Sequence, residues 1–172
     1  MANWANGRPR VLALGSLAEA TCKAEDRIDG LLYAFRRVRL SRADRRKVQQ
    51  LQAEYRKWQD ASAAMDLEDA DHMLQELCDV AESYLPPYTY LGTLEGDGAD
   101  FGVWASVDSL LEDARDGEVW RACPRGDGYS KPGTILLTVP RGELWVSVSD
   151  HGNVSLYQSL GAGKSREVWG VV

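Results

Sequence analysis

The segment Glu95-Gly96-Asp97-Gly98-Ala99-Asp100-Phe101-Gly102 places three carboxylates and three glycines within eight residues. Oxygen donors this dense could ligate a hard cation such as calcium. Their order, however, does not follow an EF-hand loop, and Gly-x-Gly-x-Asp supplies only one unit of a calcium-binding β-roll, which needs stacked copies. The expected structure is therefore a tight turn, with glycines at positive φ, aspartates bonded to local backbone and no metal. His72 and His151 are the only histidines. A metal-dependent hydrolase would have to be built on Asp97, Asp100 and His151, and no serine or cysteine nucleophile is placed beside them by the sequence. His151 reads as a turn residue, and the chain as non-enzymatic, with no catalytic residue and no cofactor. Gly161-Ala162-Gly163-Lys164-Ser165 has the closing residues of a phosphate loop but lacks the earlier glycine and the long helix that must follow, so it reads as a hairpin.

The other chemistry is electrostatic. Arg36, Arg37, Arg39, Arg42, Arg45, Arg46 and Lys47 form a run that could neutralise phosphates or meet an acidic protein surface. The first 57 residues carry 13 Lys/Arg against 6 Asp/Glu, whereas residues 58–172 carry 7 against 20. The overall charge of −6 opposes unspecific DNA binding. Its aromatic neighbours Phe35 and Tyr55 fall on helix seams, so no stacking platform for bases is evident.

These residues need elements to hold them. A chain of 172 residues, 44% of them hydrophobic, suffices for one compact domain or two small ones. No apolar run approaches the length of a membrane span, and the first residues lack the apolar core of a secretory signal. Cys22, Cys78 and Cys123 form no C-x-x-C pair and read as small buried hydrophobes in a reducing compartment. Leu17, Thr21, Ala24, Ile28, Leu31, Phe35 and Val38 alternate in steps of four and three, which predicts a helix opened by a Ser16-to-Glu19 capping box. Val48, Leu51, Tyr55 and Trp58 continue the same alternation behind a Ser41 cap. Asp66 caps a third segment through Leu77, Ala81 and Tyr84, unless it prolongs the second helix. Pro86-Pro87 ends the helical part. Beyond it the period becomes that of strands: 88–91, 101–104, 119–122, 134–139, 144–149, 154–158 and 167–172, with a short helix over 106–115. Leu144, Val146 and Val148 predict a sheet with one face buried.

The expected fold class is α+β: an N-terminal antiparallel helical hairpin or three-helix unit (1–85), then a small, mostly antiparallel sheet domain with one short helix (86–172). A hairpin would leave apolar seams that a second copy could cover, giving a homodimer.

Within residues 86–158, the string from Glu95 to Trp104 and Asp150-His151-Gly152-Asn153-Val154-Ser155-Leu156-Tyr157 together resemble a motif pair of small accessory proteins of bacteriophages and prophages. That family is uncharacterised and transfers no activity, cofactor or catalytic residue. The resemblance implies origin in a phage, and hence a protein that binds a host protein or ribonucleoprotein complex in the bacterial cytoplasm, as anti-CRISPR inhibitors do. The expected partner-binding residues are Arg36, Arg37, Arg42 and Arg46, or the acidic loop residues Glu95, Asp97 and Asp100. Nucleic acid bound by the basic tip is the alternative partner, and no membrane is expected.

Overall fold

The computed structural model describes residues 10–60, 66–121 and 139–172. The chain divides into two units, Met1–Trp104 and Ala105–Val172. The first contains β1 (Gly15–Ala18), α1 (Ala24–Phe35), α2 (Arg42–Asp60), α3 (Leu67–Glu82), β2 (Thr89–Leu94) and nearly all of β3 (Asp97–Ala105). Its sheet has the order β1-β3-β2.

Ser16 to Glu19 does not cap a helix. Gly15 and Ser16 pair antiparallel with Val103 and Gly102, and Ala18 with Phe101, across a bulge at Leu17. Glycine makes that pairing feasible, since a Cβ at Gly102 would lie 2.4 Å from the Gly15 carbonyl oxygen. The seam period was real from Ala24 onward, but strand pairing at long range took its first residues. α1 is capped instead at Lys23, which makes no side-chain cap bond; just before it the Thr21 hydroxyl accepts from the Lys23 amide at 3.1 Å and donates to Asp26 at 2.5 Å.

The helical seams pack inward. Ile28, Leu31 and Phe35 of α1, Val48, Leu51 and Tyr55 of α2, and Met73, Leu77, Val80 and Ala81 of α3 share one core with Phe101 and Val103 of β3. Among the described residues, the apolar seams of α1, α2 and α3 thus face one another within this unit. Asp66 is an extended cap whose carboxylate accepts from the Glu68 amide at 3.2 Å, so α3 is a separate helix.

Because β1 and β3 are partners, the 89–105 hairpin belongs with the helices. The division falls after Trp104 rather than at Pro86-Pro87. The second unit has α4 (Val107–Asp116) followed by β4 (Trp120–Arg121), β5 (Leu144–Val148), β6 (Val154–Gly161) and β7 (Lys164–Val171), in sheet order β4-β5-β6-β7. Among the described residues β4 and β5 run parallel, and the β5–β6 and β6–β7 pairs antiparallel. α4 ends at Gly117 in the left-handed region, as its sequence predicts. In β5, Trp145 and Val146 are both buried while Val148 is exposed, so the expected one-sided burial does not hold. Trp145 stacks on its cross-strand neighbour Tyr157 at 4.3 Å. The strand expected over 134–139 lies, except for Val139, outside the described residues. Together the units make an α+β protein, and among the described residues no helix is long and apolar enough to cross a membrane.

Candidate binding surface

Arg36, Arg37 and Arg39 follow the last turn of α1, and Arg42, Arg45 and Arg46 lie in the opening turns of α2; all six are exposed. Their elements are well held. The Ser41 hydroxyl accepts from the Asp44 amide at 3.1 Å and donates to the Asp44 carboxylate at 2.6 Å. Tyr84, just past α3, donates to the same carboxylate at 2.5 Å and accepts from the Ser41 amide at 2.8 Å. These two hydroxyls hold the Asp44 carboxyl below the usual carboxylate range. The start of α2 is thereby tied to the end of α3, which fixes the platform carrying the arginines.

The charge there runs against local preference. Cations suit a helix C-terminus, which accounts for Arg36, Arg37 and Arg39, but at the N-terminus of α2 they face the positive end of the macrodipole. Asp44 is the only acid in that first turn. Among the described residues Lys47 pairs with Glu76 of α3 at 3.4 Å, whereas Arg42 and Arg46 have no acidic partner.

A second feature begins at the tip. A cleft of about 130 Å³ lies between α1 and α2. Asp29 and Tyr33 approach it from α1 and Arg36 from just past its end, and Gln52, Arg56 and Gln59 from α2, with Tyr55 buried beside them. The Tyr55 hydroxyl donates to the Glu25 carbonyl at 3.2 Å. Burial, and after it the neighbouring Asp29 charge, push its pKa up to about 12. Tyr33 is 54% exposed, and the Arg37 guanidinium stacks 4.6 Å from its ring centroid and donates to its hydroxyl. Asp29 also borders an open groove of about 570 Å³ on its other side, between α1 and the segment following β1.

Partial burial holds the Asp29 pKa above its ordinary value, assisted by Asp26 and opposed by Tyr55 and Arg36. A carboxyl whose folded pKa is raised favours folding while it is protonated, and that contribution is lost as pH rises through the folded value. Asp29→Asn should therefore raise the melting temperature slightly at pH 7 and leave it unchanged at pH 3, where the wild-type carboxyl is neutral. Thermal melts at both pH values check this; a loss of stability at pH 7 would show that the carboxylate is needed by its neighbours.

The acidic loop does not form one patch. Glu95 and Gly96 make the turn, with Gly96 at φ +85°, while Asp97 and Gly98 already belong to β3. Asp97 accepts from the Ala99 amide at 3.0 Å, the local turn chemistry its type suggests. Asp97 and Asp100 stand three residues apart on one strand, so alternation sends them to opposite faces. Asp100 is half-buried, and among the described residues its Oδ1 has no hydrogen-bond partner. The loop backbone is clamped to the start of α1: the Ala99 carbonyl accepts from the Thr21 amide at 2.9 Å, and the Gly98 carbonyl from Arg27 at 3.4 Å. His151 belongs to the second unit, in the 149–153 turn, where its amide donates to the Ser149 hydroxyl at 3.3 Å. Among the described residues no three His, Cys, Asp or Glu side chains gather as a metal site. Cys22 is exposed rather than buried, with its thiol 3.9 Å from the Gly98 carbonyl. Cys78 is half-buried, and desolvation followed by the Asp79 and Glu82 charges pushes its thiol up to about 11. Cys123 lies outside the described residues.

The arginines were legible in the sequence, but the cleft was not. Its signal was a second stripe beside the seam, with Asp29, Tyr33 and Arg36 spaced four and three, and Gln52, Arg56 and Gln59 likewise. Comparison of the chain with protein-family models, with curated proteins and with solved structures returned no match.

Proposed function

We propose that this chain is a non-enzymatic binding protein that docks its basic tip, centred on Arg36, Arg37, Arg42 and Arg46, onto an acidic surface of a host protein or ribonucleoprotein complex. The observation that carries the reading is the placement of Arg42, Arg45 and Arg46 in the opening turns of α2, where the helix dipole disfavours them. Residues kept against a local preference mark places where function outweighs stability. The platform beneath them is rigid, because Tyr84 and Ser41 both hold Asp44. The motif resemblance to phage accessory proteins supports a counter-defence role in the bacterial cytoplasm, of the anti-CRISPR kind.

The test is capture of the bacterial partner from lysate with the wild-type protein and with R36E/R37E/R42E/R46E. The partner should bind the wild type stoichiometrically, and the variant should associate at least tenfold more slowly at low salt, the difference shrinking as salt is added. Equal association rates for the two proteins would remove the tip from the interface.

A further inference from the structure

We propose that the cleft between α1 and α2 accepts an unpaired nucleobase while the adjoining arginines hold the phosphates of the same single strand. This inference rests on the reading above that the tip meets a polyanionic partner, and it names that partner's chemistry.

Three features of the surface converge on it. The first is size: about 130 Å³ is on the scale of one planar heterocycle. The second is Tyr33. It is a large aromatic side chain left 54% exposed, and the Arg37 guanidinium covers one face of its ring at 4.6 Å. Tyr33 also lines the cleft, so its exposed ring, with a π-system already paired with a cation, stands beside any base that enters. Stacking of bases on aromatic and guanidinium planes is how unpaired strands are held. The third is the edge chemistry of the cleft. Gln52 and Gln59 each bring an amide that both donates and accepts, as a base edge requires, and the Asp29 carboxylate accepts from exocyclic amino groups. Arg36 and Arg56 border the same cleft, and Arg42 and Arg46 lie exposed on the following helix, so phosphates on either side of the inserted base have cations to meet.

An acidic protein surface would engage the arginines but would not call on the exposed ring of Tyr33 or the amide of Gln52 at the cleft. Duplex DNA presents no unpaired base and would read the tip only as charge. A single strand uses every part of the surface. Phe35 and Tyr55 both belong to seams, whereas Tyr33 lies off the seam, where an aromatic ring can stay exposed.

The experiment is fluorescence anisotropy of the full chain with a fluorescein-labelled 12-nucleotide RNA of mixed sequence, the DNA of the same sequence, and the corresponding DNA duplex. The single strands should bind at least tenfold more tightly than the duplex; the tighter of the two names the partner as RNA or DNA. Tyr33→Ala should weaken single-strand binding tenfold or more, Tyr33→Phe should retain it because the ring remains, and neither should change the circular dichroism spectrum. Equal affinity for duplex and single strand, or an unchanged affinity of Tyr33→Ala, overturns the proposal, and so does absence of binding. In that last case, slower capture of the bacterial partner by R36E/R37E/R42E/R46E would still uphold the basic tip as a protein-docking surface, so the two readings fail separately.

Discussion

Gly30→Ala is expected to destabilise the first unit by about 1–3 kcal/mol, although helix propensity alone assigns alanine an advantage of about 1 kcal/mol over glycine. The reason is the approach of α1 to β1. A Cβ at position 30 would sit 2.2 Å from the Leu17 carbonyl oxygen and 2.8 Å from its carbon. Both are backbone atoms, so relief requires α1 and β1 to separate, and Leu17 already sits in the bulge that gives β1 its register with β3. Helix ellipticity at 222 nm during heating reports the first unit, which holds the three longest helices. A fall of roughly 4–8 °C per kcal/mol is the scale to look for. Ala53→Gly, at an exposed position of α2, supplies the ordinary propensity effect for comparison. A raised melting temperature for Gly30→Ala would mean that the α1–β1 approach is wrong.

Leu77→Ala should have the largest effect of any single truncation considered, about 2–5 kcal/mol. Leu77 is fully buried on α3, in the core shared with Ile28, Leu31 and Phe101. Shortening it removes apolar contact and leaves a cavity that three helices and a strand must close around. Leu67, at the opposite extreme of the same helix, is 76% exposed, and Leu67→Ala should change stability by no more than about 0.5 kcal/mol. Denaturant titration of the two variants gives the contrast directly. Similar losses in both would mean that the buried face of α3 has been misassigned.

Periodicity made α2, α3 and α4 readable, because their stripes are set by local geometry: Val48, Leu51 and Tyr55 recur on one face, and Ser41, Asp66 and Gly117 mark ends by their side-chain or backbone chemistry. The hairpin turn at 162–163 was equally local, with Ala162 and Gly163 both at positive φ as a tight two-residue turn needs. The start of the chain was not readable in this way. Leu17 and Thr21 fit the helical period as well as Ala24 and Ile28 do, and only the presence of a partner strand at Phe101–Val103 decides between helix and strand. That decision lies far along the chain, beyond any window of local pattern, and it also moved the unit boundary. At the binding surface the arginines announce themselves by type. The cleft requires two helices to be placed side by side before Tyr33, Gln52 and Gln59 acquire a common neighbourhood.

The pairing of β1 with β3 also dictates an order of events during synthesis. Gly15 and Ser16 leave the ribosome long before Val103 and Gly102, and at about 5–20 residues per second the interval is several seconds. Throughout it, the helices can collapse on Ile28, Leu31 and Leu77, but β1 has no strand to bond and its amides must be satisfied by water. A released chain ending at Pro86-Pro87 would therefore carry the arginine tip and the Tyr84 that locks it, on a body whose sheet cannot begin to form.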